Sequence, residues 1–137
     1  MADALPHDPY ITAVADTLAD YGITVTDGGT SSPDGRLLEG WIHVDLKDID
    51  ADTWQHGVYL GWDQDRGWHL IEDGGGRNVH DLDLAGVLTF SSPRQVACSA
   101  ANALRGHLST GRICNDGTWS WDSRPLEAAI TAWETQP

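Results

Sequence analysis

Between Leu38 and Leu46 the side chains alternate with a period of two. Leu38, Gly40, Ile42, Val44 and Leu46 form one set, and Glu39, Trp41, His43 and Asp45 the other. Successive strand residues point to opposite faces, so this stretch predicts a strand with one face against a core and Trp41 and His43 on the second face. Such a strand needs partners. Val58-Tyr59-Leu60-Gly61-Trp62 and Trp68-His69-Leu70-Ile71 flank Asp63-Gln64-Asp65-Arg66-Gly67, whose terminal glycine supports a hairpin with a bulged or five-residue loop. The expected centre of the fold is an antiparallel sheet of three to four strands.

Helical signals stand on either side of it. Asp8-Pro9 offers a cap and a first-turn proline, Ile11, Val14, Ala15 and Leu18 keep the helical period, and Gly22 stands where a left-handed residue ends a helix. Ser92-Pro93-Arg94-Gln95 combines an N-cap, a proline and a Gln three residues on, with Val96, Ala100, Leu104 and Leu108 as the buried stripe of a helix running to Gly111. A last helix over about Pro125 to Glu134 would bury Leu126, Ala129, Ile130 and Trp133. Helices bracketing a run of strands predict an α+β fold with helices packed on one sheet face, since a bare sheet of this size is marginal in water.

The length of 137 residues and a hydrophobic content of 40% suit a single domain over residues 1–137 with its own core. Residues 1–7 read as a flexible N-terminus. The segment 27–35 is turn-forming after a short β-prone piece at Ile23–Thr26, and the glycine-rich 73–78 resists regular structure, so both read as mobile loops. The N-terminal residues carry neither a positive region nor an apolar one of signal-peptide type, and no apolar run is long enough for a bilayer. The expectation is a cytoplasmic protein with no membrane contact, and there Cys98 and Cys114 are expected as reduced thiols rather than a bridge.

Beyond Trp62-Asp63…Gly67-Trp68, the chain carries Pro9-Tyr10-Ile11-Thr12-Ala13-Val14-Ala15 and Leu84-Ala85-Gly86-Val87-Leu88…Ser92-Pro93…Val96-Ala97. With these motifs, residues 8 to 108 resemble a family of small actinobacterial, Streptomyces-like proteins to which no function is assigned. The resemblance implies one domain and transfers no activity, cofactor or site residue.

Charge and motif content narrow the function classes. Eight basic against twenty-one acidic residues give a formal charge of -13, which repels nucleic-acid backbones and anionic membranes and attracts basic partners. No nucleophile elbow, phosphate-binding glycine loop or paired cysteine ligands occur, and Gly74-Gly75-Gly76 lacks the Lys and Ser/Thr of a nucleotide loop. His80, Asp81 and Asp83 are a weak set of candidate metal ligands. In an extended segment His80 faces away from the two carboxylates, so a third ligand such as His43 or His69 would have to come from a neighbouring strand. Asp63 and Asp65 fall in a turn, where aspartate serves local hydrogen bonding rather than acid/base chemistry. No cofactor is expected.

The seven tryptophans are more than a small core needs. Trp41, His43, Trp62, Trp68, Trp119 and Trp121 are therefore the candidate binding residues, Trp119 and Trp121 lying on one side of an extended piece. The leading expectation is a non-enzymatic acidic domain that binds a basic or Arg-rich protein. The alternatives are a small-molecule or carbohydrate module with Trp41, Trp62 and Trp68 walling a pocket between sheet and helices, and a small metal-assisted enzyme at His80, Asp81 and Asp83. An exposed sheet edge or tryptophan patch leaves room for a homodimer.

Overall fold

The computed structural model describes residues 5–32, 37–72, 79–82, 87–106 and 122–135. The alternating stretch becomes β2, Glu39–Val44, in which Gly40, Ile42 and Val44 are buried and Glu39, Trp41 and His43 only half so. Leu46 leaves the pattern, 64% exposed, because a 3-10 turn at Leu46–Asp48 ends the strand. The hairpin is β3, Val58–Asp63, and β4, Gly67–Glu72. Trp62 pairs with Trp68 and Asp63 with Gly67, whose φ of 78° closes the turn.

Among the described residues five strands, not three to four, make the sheet, in the order β1-β2-β3-β4-β5 and antiparallel throughout. The two added strands sit at its edges. β1, Val25–Ser31, takes up the first half of the segment expected as a turn-rich loop, and β5 is the short Val79–Asp81. Asp27, Gly28 and Gly29 are poor strand formers, yet they face His43, Ile42 and Trp41 of β2, and this pairing overrides local preference. Residues 33–35 of that segment and the glycine-rich 73–78 lie outside the described residues.

Helix α1, Asp8–Asp20, has His7 rather than Asp8 at its N-cap position, with no side-chain cap bond, carries Pro9 in its first turn, and is followed by Gly22 at φ 80°, as its position foretold. Tyr10, Ile11, Val14 and Leu18 are buried, and Ile11 lies over Gly40, where a Cβ would come within 2.8 Å of Ile11 Cδ1. Helix α2, Pro93–Leu104, opens on Ser92, whose hydroxyl accepts from the Gln95 amide. It stops sooner than the period of its apolar stripe predicts, at Leu104, before Gly106 at φ 91°. Residues 107–121, with Leu108, Cys114, Trp119 and Trp121, fall outside the described residues. Helix α3, Arg124–Glu134, buries Ile130 and half-buries Leu126 and Trp133, while Ala129 is exposed, contrary to the predicted stripe. Cys98 on α2 is disulfide-bonded, so the reduced thiol expected from compartment alone is not what the structure contains.

The core lies between the sheet and α1 and α2. Its tryptophans hold their N–H groups to backbone or hydroxyl oxygens: Trp54 donates to the Ala103 carbonyl, Trp62 to the Thr89 carbonyl and Trp68 to the Tyr10 hydroxyl, which in turn donates to the Ser91 carbonyl. Trp62, Trp68 and Tyr10, three rings on three elements, thereby tie the segment before α2 to α1 and the hairpin, while Trp54 ties the loop before β3 to α2. Among the described residues no helix is long and apolar enough to cross a membrane.

Candidate functional site

The register sorts the other sheet face into three cross-strand rows. Ser31, Glu39, Asp63 and Gly67 form the first, Gly29, Trp41, Gly61, His69 and Asp81 the second, and Asp27, His43, Tyr59, Ile71 and Val79 the third. Neighbours across a row stand close enough for their side chains to interact. His43 stacks on Tyr59, ring centroids 4.9 Å apart at 21°. Two glycines shape the middle row. A Cβ on Gly29 would stand 2.7 Å from Trp41 Cζ2, so the indole lies across Gly29, away from β3. A Cβ on Gly61 would stand 2.9 Å from both His69 Nε2 and Ile71 Cδ1, so those side chains lean in from β4. Between them opens a hollow of about 470 Å³, lined by Trp41, His43, Tyr59 and His69, with Glu39 and Arg66 at one end.

Asp63 also borders the hollow, but its carboxylate is committed to the hairpin. It accepts from the Asp65 and Arg66 amides at 2.9 and 2.7 Å and from Arg66 Nε at 2.9 Å. This is the local turn bonding that aspartate in a hairpin loop predicts, and it leaves Glu39 as the other carboxylate lining the hollow. The Arg66 side chain is 75% exposed, so its ion pair with Asp63 fixes the turn more than it adds net stability.

The candidate binding residues divide. Trp41 and His43 lie side by side on this face. Trp62 and Trp68 belong to the opposite one: each is 1% exposed, and their rings pack with Tyr10, His7 and Phe90 in the core. The space between sheet and helices where they were to wall a pocket is filled by those rings. Trp62 borders the hollow on the far side of the sheet from its indole's packing partners. Trp119 and Trp121 are outside the described residues. Tyr59, His69 and Glu39 complete the face without having been singled out as binding residues, although the period of two already places Glu39 with Trp41, and Tyr59 opposite Trp62.

For the metal candidates, His80 and Asp81 are adjacent on β5 and so point to opposite faces, and Asp83 is outside the described residues. Among the described residues no three His, Cys, Asp or Glu side chains are grouped to hold a metal ion. Comparison with protein-family models, curated proteins and solved structures finds no match to this chain. The motifs behind the actinobacterial resemblance have a structural explanation of their own: Tyr10, Val14, Trp62, Trp68, Val96 and Ala97 are all core residues, and Asp63 and Gly67 make the hairpin turn.

Proposed function

We propose that this is a binding domain without catalytic function, whose outer sheet face receives a basic segment of a protein partner. The observation that carries the reading is the hollow between Trp41 and His69, an aromatic surface with Glu39 at its end on a protein of net charge -13. An indole face and a nearby carboxylate suit a guanidinium or ammonium group, by cation–π attraction and ion pairing together. The excess negative charge would speed encounter with such a partner and make it depend on salt. The hollow is open to solvent rather than enclosed, which supports a polypeptide occupant over a fully enclosed ligand.

The test is co-purification of partners with the intact protein and with Trp41→Ala, at low salt and at roughly 0.5 M salt, where screening is nearly complete. Recovery of basic proteins that falls with salt and with Trp41→Ala is the expected result. Recovery unaffected by either would refute the reading. A second reading is favoured by the volume of the hollow, which falls within the range of small-molecule sites. A sugar or a small aromatic cation would then stack on Trp41, and a ligand-induced fluorescence change present in the intact protein and lost in Trp41→Phe would report it.

A further inference from the structure

We propose that the outer edge of β1, with the groove it forms against α1, accepts an extended basic segment of another protein as a sixth strand of the sheet. This site is separate from the outer face and does not rest on it. β1 hydrogen-bonds to β2 on one side only, and no described strand pairs with its other side. The pairing is irregular between Val25 and Asp27 but regular from Asp27 to Ser31, so this stretch of edge is a straight template for another chain. Beside it runs a groove of about 290 Å³. Its walls are Ile11, Thr12 and Ala15 of α1 and Val25 and Gly28 of β1, and Ile42 is its floor.

The groove lies on the inner side of the sheet, where Gly28 faces Ile42. Gly28 lines the groove without a side chain to obstruct its middle, and a Cβ there would stand 3.0 Å from the Trp41 carbonyl. A strand laid along β1 would send every second side chain into it, and the apolar walls suit aliphatic ones. Its remaining side chains point to the outer face, where the register places Asp27 beside His43. Asp8 at the rim of the groove and Asp16 and Asp20 on the exposed side of α1 add to the negative field around the edge, and no lining residue is basic. Charge complementarity therefore selects a segment in which aliphatic residues alternate with arginine or lysine. It opposes a second copy of this chain, which would bring the same carboxylates to the same edge.

A capped peptide of alternating arginine and valine is the probe, titrated into the intact protein and followed by amide chemical shifts. The expected shifts centre on residues 26–30 and on α1 near Thr12. N-methylation of alternate peptide amides, which removes strand pairing and keeps charge, should weaken binding about tenfold or more, as should exchanging arginine for glutamate. Thr12→Trp fills the groove from an exposed helix position and should do the same. Equal affinity for the methylated peptide would overturn the proposal without recourse to any variant. So would shifts confined to Trp41, His43 and Tyr59, an outcome that would still support the outer-face site. Strong protection of the β1 edge amides from hydrogen exchange in the free protein would also overturn it, since the edge would already be occupied by this chain or a second copy.

Discussion

Replacing Gly40 by alanine tests how tightly α1 is seated on the sheet. Gly40 has no positive φ, so its backbone does not demand glycine; the constraint is space. The added Cβ would stand 2.8 Å from Ile11 Cδ1 and 2.9 Å from Cγ1, roughly 1 Å short of an ordinary carbon contact. Ile11 is 4% exposed and Gly40 sits mid-strand in β2, so relief requires either an unfavourable Ile11 rotamer or a shift of α1. Overpacking of this kind costs about 1–3 kcal/mol, which would lower the thermal midpoint by roughly 4–12 °C. A double-mutant cycle separates this clash from a general intolerance of change. Ile11→Ala alone opens a cavity and costs about 2–5 kcal/mol. On that background the new methyl enters the space vacated, and Gly40→Ala should cost close to nothing. The coupling, read from urea denaturation midpoints at constant m, should equal most of the single-mutant cost of Gly40→Ala. Additivity to within about 0.5 kcal/mol would refute the contact as the reason for glycine.

His7 is fully buried, stacks on Trp62 at 5.3 Å, and its Nε2 lies 2.7 Å from the Glu39 carbonyl. Burial pushes its imidazole below the ordinary value, against the opposing pull of that carbonyl and of Asp8. The unfolded chain therefore takes up the proton first. The contribution of His7 is complete above pH about 6.5 and is lost as pH falls through that value toward the folded one. Melting midpoints of the intact protein should drop between about pH 7 and 5 more steeply than those of His7→Phe, and parallel slopes would show that His7 does not titrate as argued. For the hairpin, Asp63→Ala removes three hydrogen bonds from a carboxylate that is 3% exposed and should cost about 1–3 kcal/mol in chemical denaturation. Asp65→Ala in the same turn, an exposed residue, should cost under about 0.5 kcal/mol.

What could be read in advance was whatever depended on local chemistry. Ser92 capping Gln95, Gly22 ending α1, and Asp63 folding its carboxylate back onto the Asp65 and Arg66 amides are interactions over two or three residues. The hairpin was legible for the same reason, because the loop length alone sets Trp62 opposite Trp68. The register of β2 on β3 was not. The long connection from Asp45 to Gly57 leaves it free, and only the formed sheet sets Trp41 opposite Gly61 rather than Trp62. A slip of one residue exchanges the faces, and that single offset separates Trp41 and His43 from the tryptophans once grouped with them. β1 was hidden for another reason. Asp27-Gly28-Gly29 has no strand propensity, and its conformation comes from a partner strand and from an indole that needs the room glycine leaves.

The meander also explains how so small a sheet supports both a core and the proposed binding face. Each strand contributes alternately to the two, so Ile42, Leu60 and Leu70 can be fixed by packing while Trp41, Tyr59 and Ile71, one residue away, remain half-exposed. The constraint runs through the backbone rather than through shared contacts. Substitutions that alter recognition on the outer rows are therefore expected to leave the core largely untouched. Gly61 is the exception, since its missing side chain is what admits His69 and Ile71 to the hollow. A methyl group there displaces only the ends of two side chains, so Gly61→Ala should reshape the outer surface at little cost in folding. That asymmetry distinguishes it from Gly40, where the same methyl meets a buried helix.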